Sequence, residues 1–355
     1  MYKDERNGEL KGILTVIVLS VSVLVSGCSD KDCMVIKSLS PSVEISCEEQ
    51  PYDPFKVRIG SYERVPGYWL VRLDPRGDSS GDVFAVLDDS GREVCRAGKF
   101  GRGPEELLSP AVLQVLPLED DVLTYRVLDF SLGRYYTYRT DLQSGGTEIR
   151  PELDLGTGMR EVNYLGGGRY LCNPENNRYY FYDAESGTRT YLEGWDADYN
   201  APVENSPIYV PDLQTNSLVS CDSTLVYIYG LSLPVIYVHS LSDGRLLKRV
   251  YIEHTPEEVS EMEQGLEYHG TYVMYDLGDN LLLCYYDFEY EEGTYIPDMY
   301  SYRMVVMDKS FRPQASYAIP YVDRFVLDPW TGRVTTLSFE EELFRIYDLS
   351  EWMQG

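Results

Sequence analysis

Positive charge is what this 355-residue chain has least of: 31 Lys and Arg stand against 58 Asp and Glu, a formal net charge of −27. Phosphate binding depends on clustered Lys and Arg, so the shortage disfavours nucleic acid as a partner and anionic lipid as an electrostatic one. Histidine is scarcer still. His239, His254 and His269 are the only three, with no HxH or HExxH spacing, which argues against a histidine metal centre or general base. Seven cysteines occur, yet none forms a CxxC pair or a Cys/His ligand spacing. Their wide scatter suits isolated residues buried in strands, with Cys33 and Cys47 the pair most worth testing as a disulfide. Long helical periodicity is nearly absent, and only one apolar run is long enough to notice.

That run is Ile13 to Cys28, ILTVIVLSVSVLVSGC, preceded by Lys3, Arg6 and Lys11. Its 15 residues from Ile13 to Gly27 fall short of the roughly 20 that cross a hydrocarbon core, and Ser20, Ser22 and Ser26 weaken it further. A cleaved signal fits better than a signal anchor. The ending Val25-Ser26-Gly27-Cys28 resembles the lipobox of bacterial lipoproteins, in which the cysteine thiol is acylated before cleavage. Residues 1–27 are therefore read as a lipoprotein signal peptide and Cys28 as the lipidated residue. Residues 28–40 become the acylated cysteine and tether, and residues 41–355 the folded domain. The tether opens with Ser29-Asp30-Lys31-Asp32, similar to the acid-rich signal of surface-exported lipoproteins. The expected location is the outer membrane of the cell envelope, facing either the periplasm or the outside, with the lipid as the membrane contact.

A hydrophobic content of 43% is enough for a sizeable core in the remaining 328 residues. Beyond residue 40, short runs of Val, Ile, Leu and Tyr alternate with Asp, Gly, Asn and Pro, which are strand and turn signals. The exception is Thr255-Pro256-Glu257-Glu258, an N-cap followed by a first-turn proline and acids, which predicts a short helix from about Pro256 to Gln264.

The strand pattern repeats. Phe84 to Val94 reads as a strand, an Asp/Ser/Gly turn and a return strand. Comparable units lie at Tyr125–Tyr138, Tyr179–Tyr191, Val235–Val250 and Met304–Tyr317, with a last at Leu343–Asp348. The turn acids Asp88, Asp129, Asp183, Asp243, Asp308 and Asp348 are separated by 41, 54, 60, 65 and 40 residues. A lone hairpin is marginally stable, so such units must stack and bury both faces of each sheet. The reading is an all-β, six-bladed β-propeller of mostly four-stranded antiparallel blades, each of roughly 50 residues. Insertions fall at Trp195–Pro211 and Glu253–Gly270. A β-sandwich of irregular strands is the alternative.

After the first hairpin comes Gly98-Lys99-Phe100-Gly101-Arg102-Gly103-Pro104-Glu105-Glu106-Leu107. It resembles the G-x-G-x-G-P-x-E segment of TolB-like six-bladed β-propeller lipoproteins of Gram-negative bacteria, with Glu105 where those proteins carry a glycine after the proline. The resemblance implies a fold and an envelope location, and no particular activity.

Candidate chemistry is sparse. Gly77-Asp78-Ser79-Ser80-Gly81 matches a bare G-x-S-x-G, but Ser79 sits in a polar loop with no helix after it, so no nucleophile elbow is expected. Asp196-x-Asp198-x-Asn200 begins like a calcium loop, yet Ala201 and Pro207 stand where a Gly and a bidentate Glu belong. No cofactor is expected beyond a looser calcium site on those oxygens. Asp287, Glu289, Glu291 and Glu292 intermingle with Tyr285, Tyr286, Tyr290 and Tyr295, a combination suited to a sugar or peptide, although 32 tyrosines in the chain dilute the signal. Lys99 and Arg102 could hold an anion in the glycine-rich turn. The candidate ligand-binding residues are thus Lys99, Arg102, Tyr286, Glu289 and Tyr290, with no catalytic set. The expected function is a lipid-anchored binding or scaffold module for a protein or glycan. The competing class is a propeller hydrolase or lactonase-like enzyme with a metal in its central channel.

Overall fold

The computed structural model describes residues 33–39, 44–51, 59–73, 80–174, 178–193, 215–231, 233–262, 268–288, 301–338 and 340–353. The signal run, Cys28, residues 29–32, Ser79, Asp196, Asp198, Asn200, Glu289 and Tyr290 lie outside these residues.

Two strands, β1 (Cys33–Ile36) and β2 (Cys47–Pro51), precede the regular repeats. Blade 1 holds β3 (Ile59–Val65), β4 (Tyr68–Leu73), β5 (Asp82–Asp88), β6 (Glu93–Phe100) and the two-residue β7 (Glu106–Leu107). Blade 2 is β8 (Pro110–Val115), β9 (Val122–Asp129), β10 (Arg134–Asp141) and β11 (Thr147–Asp154). Blade 3 is β12 (Met159–Gly166), β13 (Arg169–Pro174), β14 (Tyr180–Asp183) and β15 (Thr188–Tyr191). Blade 4 follows with β16 (Thr215–Val219), β17 (Leu225–Gly230), β18 (Val235–Ser240) and β19 (Leu246–Ile252). A helix, α1 (Pro256–Met262), leads to blade 5: β20 (Tyr268–Asp276), β21 (Asn280–Phe288), β22 (Ser301–Asp308) and β23 (Pro313–Ile319). Blade 6 contributes β24 (Arg324–Asp328), β25 (Arg333–Ser338) and β26 (Leu343–Asp348).

The chain is a six-bladed β-propeller. Inner strands touch from blade to blade: β24 with β3, β3 with β8, β8 with β12, and β16 with β20. Ser217 of β16 donates its N–H to Glu161 of β12, and the Tyr275 hydroxyl of β20 donates to the Phe325 carbonyl of β24, which completes the ring. The sequence dictates this through its apolar runs. A strand buried on both faces needs no polar alternation, and β17 and β21 have none. Val226 and Ile228 point into the core between blades 3 and 4, while Tyr227 and Tyr229 point between blades 4 and 5. Likewise Leu281, Leu283 and Tyr285 serve one junction, and Leu282 and Cys284 the next. Six such cores result, one per junction. Many tyrosines are spent here: Phe84, Tyr125 and Tyr138 form an aromatic triad with centroids 5.2 to 5.8 Å apart between blades 1 and 2.

Blade 4 carries a fifth strand and blade 6 takes its fourth from the N-terminus. β1 adds in parallel to β19, and β2 pairs antiparallel with β26. Residues 33–36, read above as tether, are therefore part of a sheet. Between the two strands the chain is fastened at Leu39, whose N–H donates to Glu253 Oε1 at 2.6 Å and whose carbonyl accepts from the Ser316 hydroxyl at 2.7 Å. Glu253 in turn pairs with Arg303 at 3.0 Å. Residues 33–39 and 44–51 thus form a strap across the rims of blades 4, 5 and 6.

Each third strand ends at a polar residue that caps the following turn. Asp88 Oδ1 accepts the N–H groups of Ser90 and Arg92 at 2.9 and 3.0 Å, and Asp183 Oδ1 that of Ser186 at 2.7 Å. Asp308 and Asp348 do the same for Ser310 and Ser350. In blade 2 the equivalent residue is Asp141, not Asp129, because Asp141 ends the third strand and accepts from Gln143 and Ser144. Asp129 ends the second strand, fully buried, and holds Leu108 N–H at 2.5 Å. In blade 4 Ser240 occupies the corresponding strand end, and Asp243 lies within the turn. The helix starts as expected. Thr255 Oγ1 accepts Glu258 N–H at 3.3 Å and Glu258 Oε2 accepts Thr255 N–H at 2.7 Å, a capping box. Its described span ends at Met262. Six cysteines, Cys33 and Cys47 included, are free thiols; those two lie in blades 4 and 6, so they cannot be bridged.

Candidate functional site

Strand order decides where candidate residues emerge. Connections from first to second and from third to fourth strands share one face of the ring, and all others share the opposite face. Lys99 lies at the end of the fourth strand of blade 1, Arg102 on the connection from there to blade 2 and Tyr286 near the end of the second strand of blade 5, so all three belong to that opposite face. They are not together, since blade 5 is two blades away from blade 1.

The glycine-rich connection wraps an internal anion. Gly103 N–H donates to Glu106 Oε2 at 2.7 Å, and a Cβ on Gly101 would lie only 2.1 Å from the same oxygen. The glycines let the backbone close on that carboxylate, which fills the position an external anion would take. Lys99 is also engaged, 2.5 Å from Asp82. Arg102 is different: it is exposed and has no ion-pair partner among the described residues. It borders a groove of about 450 Å³ with Pro104, Arg134, Pro151, Glu152 and Asp154. Pro104 is shared with a second groove of about 640 Å³ that Lys99, Arg96 and Glu105 line. The two make one mixed-charge trough along the rim of blades 1 and 2.

Tyr286 has a structural task. Its hydroxyl donates to the Leu231 carbonyl of blade 4, and its ring lies 6.1 Å from that of Tyr302. His239 is buried with Nε2 3.1 Å from the Glu193 carbonyl, and burial lowers its pKa to about 4, which keeps it neutral. Among the described residues, no three His, Cys, Asp or Glu side chains converge as a metal site, and no helix is long and apolar enough to cross a membrane.

The central channel contains two acids that sequence reasoning missed. Glu63 of β3 and Glu161 of β12 sit on inner strands, and burial raises each to about 7. Arg324 partly opposes the rise at Glu63, while Asn163, Ser217 and Tyr179 hydrogen-bond Glu161. Neither acid has a local signature, since each is one charge within a strand. The folded pKa of Glu63 lies above its unfolded value, so the native state holds a proton that the unfolded chain has released. Its contribution to stability is therefore full below about pH 4.5, falls as pH rises to about 7, and is level above that. We expect urea titrations at pH 5 and pH 8 to show a loss of about 2–3 kcal/mol from this group, at about 1.4 kcal/mol per pKa unit. Glu161, raised to the same value, adds a similar share, so Glu63→Gln should remove about half of the fall between the two pH values; an unchanged fall would remove Glu63 from the account.

No protein-family model matches the chain, and no curated protein sequence matches it. Solved structures do. A member of the DUF4221 family from Bacteroides vulgatus aligns with a TM-score of 0.55 over 86% of this chain and 96% of its own, at 8% identity. A protein of Bacteroides fragilis assigned as exported aligns at 0.50 over 89% and 98%, at 13% identity. At such identities the likeness is one of fold.

Proposed function

We propose that the chain is an exported cell-envelope binding module of the TolB-like kind, anchored through lipid on Cys28, that recognises a protein or glycan along the trough at blades 1 and 2. The observation that carries the binding reading is Arg102, an arginine without an ion-pair partner among the described residues of a chain of net charge −27, exposed beside a rim groove that Glu152 and Asp154 also line. Arginine in that setting offers five donors in a planar fork to carboxylate or hydroxyl oxygens. A rigid ring presenting variable connections suits recognition, and the exported assignment of the Bacteroides fragilis neighbour supports an envelope address.

A photo-crosslinking residue placed at Arg102 should give adducts on intact cells, and the same residue at Ser186, on the opposite face at blade 3, should give few. Equal labelling at both positions would count against the trough. The anchor is tested separately. Cys28→Ala should abolish acylation and move the protein from the membrane to the soluble fraction, whereas unchanged flotation with vesicles would refute it.

A further inference from the structure

Of the described strands, the successive pair farthest apart in sequence is the last of blade 3, ending at Tyr191, and the first of blade 4, starting at Thr215, and the inner strands of these two blades meet in a polar cluster. On the channel side, Glu161 Oε2 accepts Ser217 N–H at 3.1 Å and Oε1 accepts Asn163 Nδ2 at 3.0 Å. Asn163 Nδ2 also lies 3.0 Å from the Ser217 hydroxyl. Behind them Asn173, Tyr179 and Thr215 are buried, at 1%, 1% and 4% exposure. Asn173 Nδ2 donates to the Tyr179 hydroxyl at 2.8 Å and to the Thr215 carbonyl at 3.3 Å. Tyr179 also hydrogen-bonds Glu161, which links the back wall to the carboxylate.

The orientation of Asn173 is fixed by this wall. A flipped amide would set its oxygen against the Thr215 carbonyl, which can only accept. Asn173 Oδ1 is therefore a fully buried acceptor, and it has no hydrogen-bond partner among the described residues. A buried acceptor of this kind costs about 1–3 kcal/mol. Glu161, the cross-strand partner of Asn173, is surrounded chiefly by neutral groups and has no ion-pair partner among the described residues. The unpaired oxygen of Asn173 and the uncompensated charge of Glu161 call for the same thing, a centre of positive charge without lone pairs. The available donors are all oxygen, from a carboxylate, amides, a phenol and a backbone carbonyl, with no imidazole or thiolate.

We propose that this junction binds a hard metal cation of the calcium class, with the Glu161 carboxylate and Asn173 Oδ1 as ligands. Calcium accepts carboxylate, amide and carbonyl oxygens in irregular numbers, whereas magnesium demands a near-octahedral set, and zinc favours nitrogen and sulfur. Such an ion would tie the inner strand of blade 3 to that of blade 4. The proposal is independent of the lipid anchor and of the rim trough.

The test uses detergent-solubilised full-length protein stripped with chelator, in physiological salt to screen the acidic surface. Calorimetric titration with calcium chloride should give one saturable site, at least tenfold weaker in Glu161→Gln. Amide hydrogen exchange on the unmutated protein should show calcium-dependent protection concentrated in residues 159–166 and 215–219, a readout that stands even if the variant folds poorly. Binding without saturation, equal binding by Glu161→Gln, protection spread over the ring, or an equal response to methylammonium would each overturn it.

Discussion

Deleting residues 33–51 should leave a protein with no cooperative unfolding transition, detected as a flat calorimetric trace, dye binding and oligomers on light scattering. The strap buries Met34, Val35, Ile36 and Leu39 within the rim of the ring. At about 1.5–3 kcal/mol for each large aliphatic side chain, that burial is comparable with the whole stability of a typical domain, about 5–15 kcal/mol. The deletion also uncovers the free edges of β19 and β26, and an unpaired apolar edge templates aggregation. Arg345, only 8% exposed, would lose Glu49 at 3.1 Å and keep Glu341. A milder form of the same experiment is Leu39→Ala, which should cost about 2–5 kcal/mol as a cavity in the core of blades 4 and 5. A deletion variant that melts like the parent would show that the ring closes without its strap.

The second large effect is expected at Gly133. This residue has φ +64°, donates its N–H to the Asp129 carbonyl at 2.7 Å, and accepts Leu155 N–H at 2.9 Å. An added Cβ would lie 1.6 Å from the Gly156 carbonyl oxygen, so the backbone of one connection must move off the other. Gly133→Ala should therefore cost about 4 kcal/mol, the sum of left-handed strain and a clash with atoms that cannot rotate away. Gly156→Ala is the control. Its φ is +75° but nothing lies within 4 Å of the added carbon, so only the strain of about 1 kcal/mol applies. Chemical denaturation of both variants should separate them by about 3 kcal/mol, and equal losses would mean that the contact is relieved by a backbone shift.

The ring was legible because its strands are apolar on both faces and its turns repeat an acid and a glycine. That signal located five of the six third strands, or the turns that follow them, and went one strand astray in blade 2. Asp129 and Asp141 both precede a glycine by four residues, and what distinguishes them is burial: Asp129 holds the incoming chain at Leu108, while Asp141 caps an exposed turn. The strap was invisible for a different reason. Cys47–Pro51 reads CEEQP, every residue exposed, and nothing local marks it as a strand; its identity comes from Leu343–Tyr347 at the far end of the chain. Glu63 and Glu161 escaped for a related reason, since closing the ring, not the sequence around them, takes their carboxyls out of water. Lys99 ends up at the close of β6 and Arg102 on the connection after it, the carboxylate enclosed by the glycines is their neighbour Glu106, and of the two only Arg102 faces outward without an ion-pair partner among the described residues.

Pairing the first described strands with the last ones also sets an order of events. Glu49 and Arg345 meet across 296 residues, so the sixth blade stays one strand short until the final stretch of the chain has been made. At about 5–20 residues per second of synthesis, the strap waits roughly 15–60 seconds for its partner. A chain threaded outward through a membrane pore, N-terminus first, would meet the same delay on the far side. The first five blades would form with an open seam, and assembly would end in one late, long-range step. Loss of residues 343–353 from the C-terminus should then be as damaging as loss of the strap, because either cut removes one half of the same seam.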